Sequence, residues 1–92
     1  MSEEIEFSPH AKKRIRTRGI DEGEVISALR NPDKVLFDEE TGNFIAVKKL
    51  DGAMLIVAYV IAGEVVRVVS AFITSKLDIV DRRVSKGRWR EI

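Results

Sequence analysis

Between His10 and Arg18 the chain carries Lys12, Lys13, Arg14, Arg16 and Arg18 and no acidic residue. His10, Arg14 and Arg18 recur every four residues, so on a helix they lie within about 80° of one another. They flank Ala11 and Ile15, the positions that would face a core, and so stand at the border between core and water. Guanidinium groups there can hold phosphate through paired hydrogen bonds. An imidazole beside them can exchange a proton near neutral pH. Lys12 and Arg16 point to solvent. A plain structural role is also open to these residues. Border arginines lay their stems over apolar surface, Asp21, Glu22 and Glu24 follow directly as pairing partners, and His10 can hydrogen-bond locally.

A second basic cluster closes the chain: Arg82, Arg83, Lys86, Arg88 and Arg90, with Trp89 among them. Arginines interleaved with an aromatic suit a phosphate backbone and an unstacked base. A solubilising tail, or a Trp89 that folds back over an open edge of the core, fits the same residues. In the middle of the chain Lys48 and Lys49 alternate, so at most one reaches a given cleft. Tyr59 falls on an expected central strand, where its hydroxyl needs a partner or a wet groove. Ser70 and Thr74 share a strand face.

Other chemistries have little material. One histidine and no cysteine leave a zinc site short of its usual ligands, and no metal or cofactor is expected. Asp38-Glu39-Glu40 reads as a solvated loop. The chain has no phosphate-cradling glycine loop, no dinucleotide fingerprint and no nucleophile elbow.

The elements that must position these residues follow from caps and periods. Glu4 to Phe7 alternates as a short strand. Ser8 and Pro9 start a helix that should run to about Arg18 and stop at Gly19. Asp21, with Glu24 three residues on, caps a second helix that Asn31-Pro32 ends. Extended segments follow at Val35–Phe37, Phe44–Leu50, Ala53–Ile61 and Val65–Thr74. Asp51-Gly52 is the strongest hairpin signal. The segment from Ala53 is apolar on both faces, which predicts a central strand. Ser75 is a candidate cap for a short helix carrying Leu77, Val80 and Val84. The expected fold is α+β: two N-terminal helices on a curled antiparallel meander of four or five strands, then a short helix and a basic, partly mobile tail from about residue 85.

Ninety-two residues accommodate one domain, here residues 1–92, and no second. Hydrophobic residues make up 45% and charged ones 34%, which fits a globular chain with a heavily charged surface. Sixteen Lys and Arg against fifteen Asp and Glu leave a net charge of +1, so segregation rather than total charge carries information. The absence of cysteine removes a disulfide scaffold and is compatible with a reducing cytosol. Met1-Ser2-Glu3-Glu4 is acidic, unlike a secretory signal. The longest apolar stretch, Ala53 to Ala62, is too short to span a bilayer. A cytoplasmic location without a membrane partner is expected.

The run Phe7-Ser8-Pro9-His10-Ala11, Arg14, Arg18-Gly19-Ile20, followed by the capped helix ending at Asn31-Pro32, resembles a family of small prokaryotic proteins grouped as a domain of unknown function. That family carries an H-A-x-x-R-x-x-x-R-G-I pattern ahead of a meander. Its layout is similar to the RelE/ParE-like toxins of toxin–antitoxin modules, over residues 5 to about 74. The resemblance implies metal-free RNA cleavage for the RelE-like branch, or gyrase poisoning for the ParE-like branch. It implies that Arg and Lys hold phosphate while Tyr or His moves a proton. Only His10, Arg14 and Arg18 match the motif. A tyrosine near the C-terminus, usual in RelE-like proteins, is missing, and Trp89 is the aromatic in that region.

The expected function is therefore an RNA-binding, RelE-like ribonuclease acting on RNA, including ribosome-associated mRNA. In that scheme the 2′-hydroxyl attacks the adjacent phosphate, His10 acts as base or acid, and Arg14 and Arg18 neutralise the developing charge. Lys12, Lys13, Lys48, Arg82, Arg83, Arg88, Trp89 and Arg90 would bind the RNA. The alternative is a non-catalytic module of the same fold that binds an antitoxin, or its own copy as a homodimer, through an exposed strand edge.

The segregation of cations yields a test that needs no structure. The domain should be retained on heparin at about 50 mM salt and elute as salt rises, because phosphate-like contacts release counterions. Passage through the column at that salt would remove the nucleic-acid reading.

Overall fold

Ser8 sets the start of the first helix. Its hydroxyl accepts from the Ala11 N–H at 3.0 Å, and Pro9 occupies the first helical position. The computed structural model describes residues 4–92. In chain order the elements are β1 (Glu4–Phe7), α1 (Pro9–Thr17), α2 (Glu22–Arg30), β2 (Lys34–Asp38), β3 (Phe44–Leu50), β4 (Ala53–Ala62), β5 (Val65–Thr74), α3 (Ile79–Ser85) and β6 (Trp89–Glu91). Asp21 caps α2 by accepting from Gly23 N–H at 3.2 Å. Gly19 ends α1 with φ +68°, a conformation that a side chain would strain. The Lys76 N–H donates to Thr74 Oγ1 at 3.1 Å and holds the chain in a turn, so α3 begins at Ile79 and not after Ser75. Leu77 is left exposed. No helix among the described residues is long and apolar enough to cross a membrane.

The fold is α+β, with an open sheet of order β1-β5-β4-β3-β2-β6. It has six strands among the described residues, not four or five, and it is mixed, not antiparallel throughout. Both differences come from the ends of the chain. β1 pairs parallel with β5, from Glu4 with Val65 to Phe7 with Val68. The expected tail becomes β6, pairing antiparallel with β2 through Leu36–Glu91, Phe37–Arg90 and Asp38–Trp89. The physical reason is Trp89, whose large ring is only 3% exposed. Burying it in the core is worth more than leaving the tail free.

The sheet separates two cores. On one face Ala11 and Ile15 of α1 and Val25 and Ala28 of α2 pack on Ala46, Leu55, Val57, Val68 and Ala71. On the other, Val80 of α3 and Trp89 pack on Leu36, Ile45, Val47 and Ile56. β4 lies inside the sheet and contributes to both cores, as its two-sided apolar pattern predicts.

β5 departs from regular pairing in two ways. Its pairing with β1 ends at Val68, so no described strand flanks that edge from Val69 onward. The register against β4 also shifts: Tyr59 pairs with Val68 but Ala58 with Ser70, leaving Val69 as an extra residue. Val68 therefore sits in the helix-covered core, while Ser70 lies opposite Ala58, which packs on the second core.

Trp89 is the test of β6. Trp89→Ala should lower stability by about 3–5 kcal/mol, as for other buried aromatics. Trp89→Phe should cost much less, because the indole N–H has no hydrogen-bond partner to lose. Urea unfolding read by circular dichroism measures both. An unchanged midpoint for Trp89→Ala would show that the C-terminus is a tail.

Candidate functional site

The free edge of β5 is where α1 brings its arginines. Arg14 donates from Nη1 to Ser70 Oγ at 3.3 Å. Arg18 donates from Nη1 to the Ala71 carbonyl at 2.7 Å. Ala11 and Ile15 are buried, and this fixes the helix face that puts Arg14 and Arg18 at the border. Both arginines are exposed and line a groove of about 370 Å³. Its floor is apolar, with Ile45, Ile56 and Phe72. Thr41, Asn43 and Ser70 add hydroxyl and amide groups.

The opposite rim comes from the C-terminus. Arg83, Arg88 and Trp89 line the same groove. The Arg83 guanidinium lies 5.0 Å from the centroid of the Trp89 ring, a cation–π contact. Arg88 Nη2 stands 3.5 Å from Asp38 Oδ2, and its Nε stands 3.5 Å from Glu40 Oε2. The two basic clusters thus meet across one groove, although about seventy residues of chain separate them.

Among the described residues Asp38 is the one carboxylate in the lining, and it is 4% exposed. Its Oδ1 accepts from Glu40 N–H at 2.9 Å and from Thr41 N–H at 3.3 Å. Burial pushes its pKa up. The Glu40 and Thr41 N–H groups, the Thr41 hydroxyl and Arg88 outweigh that and hold the carboxyl below its ordinary value of 3.8. The expectation of a solvated Asp38 is thus corrected. Side chains alternate along β2, so Asp38 follows Leu36 onto the buried face. An aspartate opening a short loop that contains Gly42 was the available signal, since such residues bond their own turn.

Beside the groove lies a cleft of about 360 Å³ lined by Lys76, Ile79, Arg82, Arg83, Lys86 and Arg88. Arg83 and Arg88 line both spaces. Arg82 therefore stands near the groove without lining it.

The other expected residues lie elsewhere. The His10 side chain is exposed, makes no hydrogen bond among the described residues and does not line the groove. It stands one helical turn before Arg14. Lys12 and Lys13 are exposed on α1 and do not line the groove. Lys48 donates from Nζ to the Asn31 carbonyl at 3.0 Å, closing the C-terminal end of α2. Arg90 is drawn away to Glu39, at 3.5 Å, and over the Phe37 ring, at 5.4 Å. Trp89 is buried, so it helps form a wall and offers no free ring for a base. Among the described residues no three His, Asp or Glu side chains are grouped to hold a metal ion. Ser70 contributes more than a strand hydroxyl suggests, because the extra residue at Val69 turns it toward the groove.

A family model described as a domain of unknown function (DUF4258) matches residues 7–81. The match takes in Arg14, Arg18 and Asp38 and ends before Arg83, Arg88 and Trp89. No curated protein and no solved structure matches the chain.

Asp38 gives the site a measurable pH dependence. Its folded carboxyl titrates below the unfolded one, so its contribution to stability is present above about pH 4 and is lost as pH falls through the folded pKa. Asp38→Asn should cost about 1–3 kcal/mol at neutral pH, the usual worth of hydrogen bonds to a charged group. The gap between wild type and variant should narrow below pH 4 in chemical unfolding. A gap independent of pH would show that the carboxylate is not the stabilising form.

Proposed function

The chain belongs to the DUF4258 family of domains of unknown function, and on that footing we propose that it binds RNA by its backbone in the groove between α1 and β6. The observation that carries this reading is the convergence of Arg14 and Arg18 with Arg83 and Arg88 on one groove whose single acid, Asp38, is already engaged by Arg88. Among the described residues the Arg14 guanidinium bonds one hydroxyl oxygen and the Arg18 guanidinium one carbonyl, so each keeps donors for a phosphate. The apolar floor and the Thr41, Asn43 and Ser70 side chains suit a base and a ribose better than a second protein's charged surface. Lys12 and Lys13 extend positive potential along the exposed side of α1 and would attract the strand without positioning it.

We propose further, from the resemblance to RelE-like toxins that element order and basic composition suggest, that the domain cleaves RNA without a metal. The 2′-hydroxyl would attack the neighbouring phosphorus and expel the 5′-oxygen, leaving a cyclic phosphate. Arg14 and Arg18 would meet the charge that develops on the phosphoryl oxygens. His10, exposed and one turn from Arg14, would take the 2′-proton or protonate the leaving oxygen.

Fluorescence anisotropy with a single-stranded RNA tests binding. Arg14→Ala and Arg18→Ala should each weaken it by about tenfold and lower the slope of log affinity against log salt by about 0.7 for each lost phosphate contact. Arg14→Lys should recover part of the loss, because an ammonium cannot bond phosphate bidentately. Arg16→Ala, outside the groove, should change little. Equal losses for Arg14 and Arg16 would refute the groove. If the domain cleaves, His10→Ala should slow cleavage by about 10²–10⁴-fold. Equal rates would take His10 out of the mechanism.

A further inference from the structure

The cleft beside the groove differs in kind from the groove itself. Ile79, Arg82 and Arg83 of α3 and its C-cap residue Lys86 recur at steps of three and four, so they share one helix face. Lys76 precedes that face and Arg88 follows it, and the six residues together line the cleft. Five of the six are cations and none is acidic. Arg88 is held by Asp38 and Glu40, and Arg83 lies over Trp89. Lys76, Arg82 and Lys86 have no ion pair among the described residues, and all three are exposed. The groove next door has an apolar floor and one acid, and Arg83 and Arg88 form the wall common to both.

Such a cleft asks for more negative charge than one link of a nucleic-acid strand supplies. An internal phosphodiester carries one charge. A terminal phosphate carries about −1.5 to −2 at pH 7 and presents three acceptor oxygens. Four of the five cations, all but Arg88, face no carboxylate within ion-pair distance among the described residues, and gathering them in so small a space costs mutual repulsion, which a compact dianion relieves. We propose that the α3 cleft takes the terminal phosphate of a nucleotide whose sugar and base lie in the adjoining groove, so that the domain engages RNA at a phosphorylated end. Arg83 and Arg88, shared by both spaces, would sit where phosphate joins sugar. This assignment rests on RNA binding in the groove and adds the part of the strand that is recognised.

The test uses the full chain and short RNAs of one sequence, carrying a 5′-phosphate, a 3′-phosphate or hydroxyls at both ends. A nucleoside 5′-monophosphate is added as a free competitor. Anisotropy at a single ionic strength reads each affinity. One phosphorylated RNA should bind at least about tenfold more tightly than the hydroxyl RNA, as multiple charge-assisted hydrogen bonds require. The double variant Arg82→Ala/Lys86→Ala alters exposed side chains only and should bring that RNA down to the hydroxyl level. Circular dichroism on the variant checks that it remains folded. Equal binding of all three RNAs by the wild type, or a preference that survives the double variant, overturns the terminal-phosphate site and leaves RNA binding standing. Competition by the free nucleotide as strong as by phosphorylated RNA assigns the site to a small ligand and overturns the RNA reading. Binding of none of these molecules overturns both.

Discussion

A carboxylate taken out of water must be met by the chain around it, and Asp38 meets that condition at the join of three segments. Its Oδ1 closes the loop after β2 by accepting two N–H groups. Its Oδ2 faces Arg88, and the Arg88 carbonyl in turn accepts from Glu39 N–H at 2.8 Å. One side chain thus specifies where the β2–β3 loop turns and where the C-terminus docks. Trp89 follows Arg88 directly, so its ring is delivered to the second core by the same anchor. That anchor adds to the β2–β6 pairing and to the burial of Val80 and Trp89 in holding the C-terminal rim of the groove opposite α1.

The other rim depends on a strand that stops early. β1 covers β5 only through Val68, and α1 continues along the uncovered stretch. Open strand edges invite pairing with other chains. Here Arg18 takes the Ala71 carbonyl and a cationic helix shields the edge. The extra residue at Val69 then turns Ser70 to the far side of the sheet, where Arg14 reaches it. Val69 and Ser70 at the inserted residue, and Arg14 and Arg18 beside the unpaired edge, all line the groove.

Most elements were legible because their signals are local. Ser8-Pro9, Asp21, Gly19 and Asp51-Gly52 set boundaries within a turn of where they stand, and the two-sided apolar run of β4 marks an inner strand whatever its partners. The site was legible only in its cations. Their meeting depends on contacts between residues 14–18 and 83–88, which no pattern within a short window contains. β6 was missed because three residues rich in charge resemble a tail, while Trp89 alone supplies the burial that holds them. Asp38 was misread because Glu39 and Glu40 beside it look solvated, and only strand alternation distinguishes it. The grouping of His10 with Arg14 and Arg18 followed correct helical spacing. In the structure Arg14 and Arg18 line the groove, and His10 stands one turn earlier on α1, outside that lining.

The two rims therefore differ in how much charge they can offer a ligand. Arg88 compensates a buried carboxylate, and removing it would leave Asp38 held by the Glu40 and Thr41 N–H groups without a facing cation. Its charge is largely committed to the fold. Reversing Arg88 would therefore disturb β6 and the Asp38 loop as well as any binding, whereas Arg90, exposed on the other face of β6, has no such duty. Arg14, Arg18 and Arg83 make single or ring contacts only and keep most of their hydrogen-bonding capacity. Positive charge that stabilises the chain and positive charge that awaits a partner occupy the same groove. They are told apart by whether a carboxylate already faces them, which a net charge of +1 conceals.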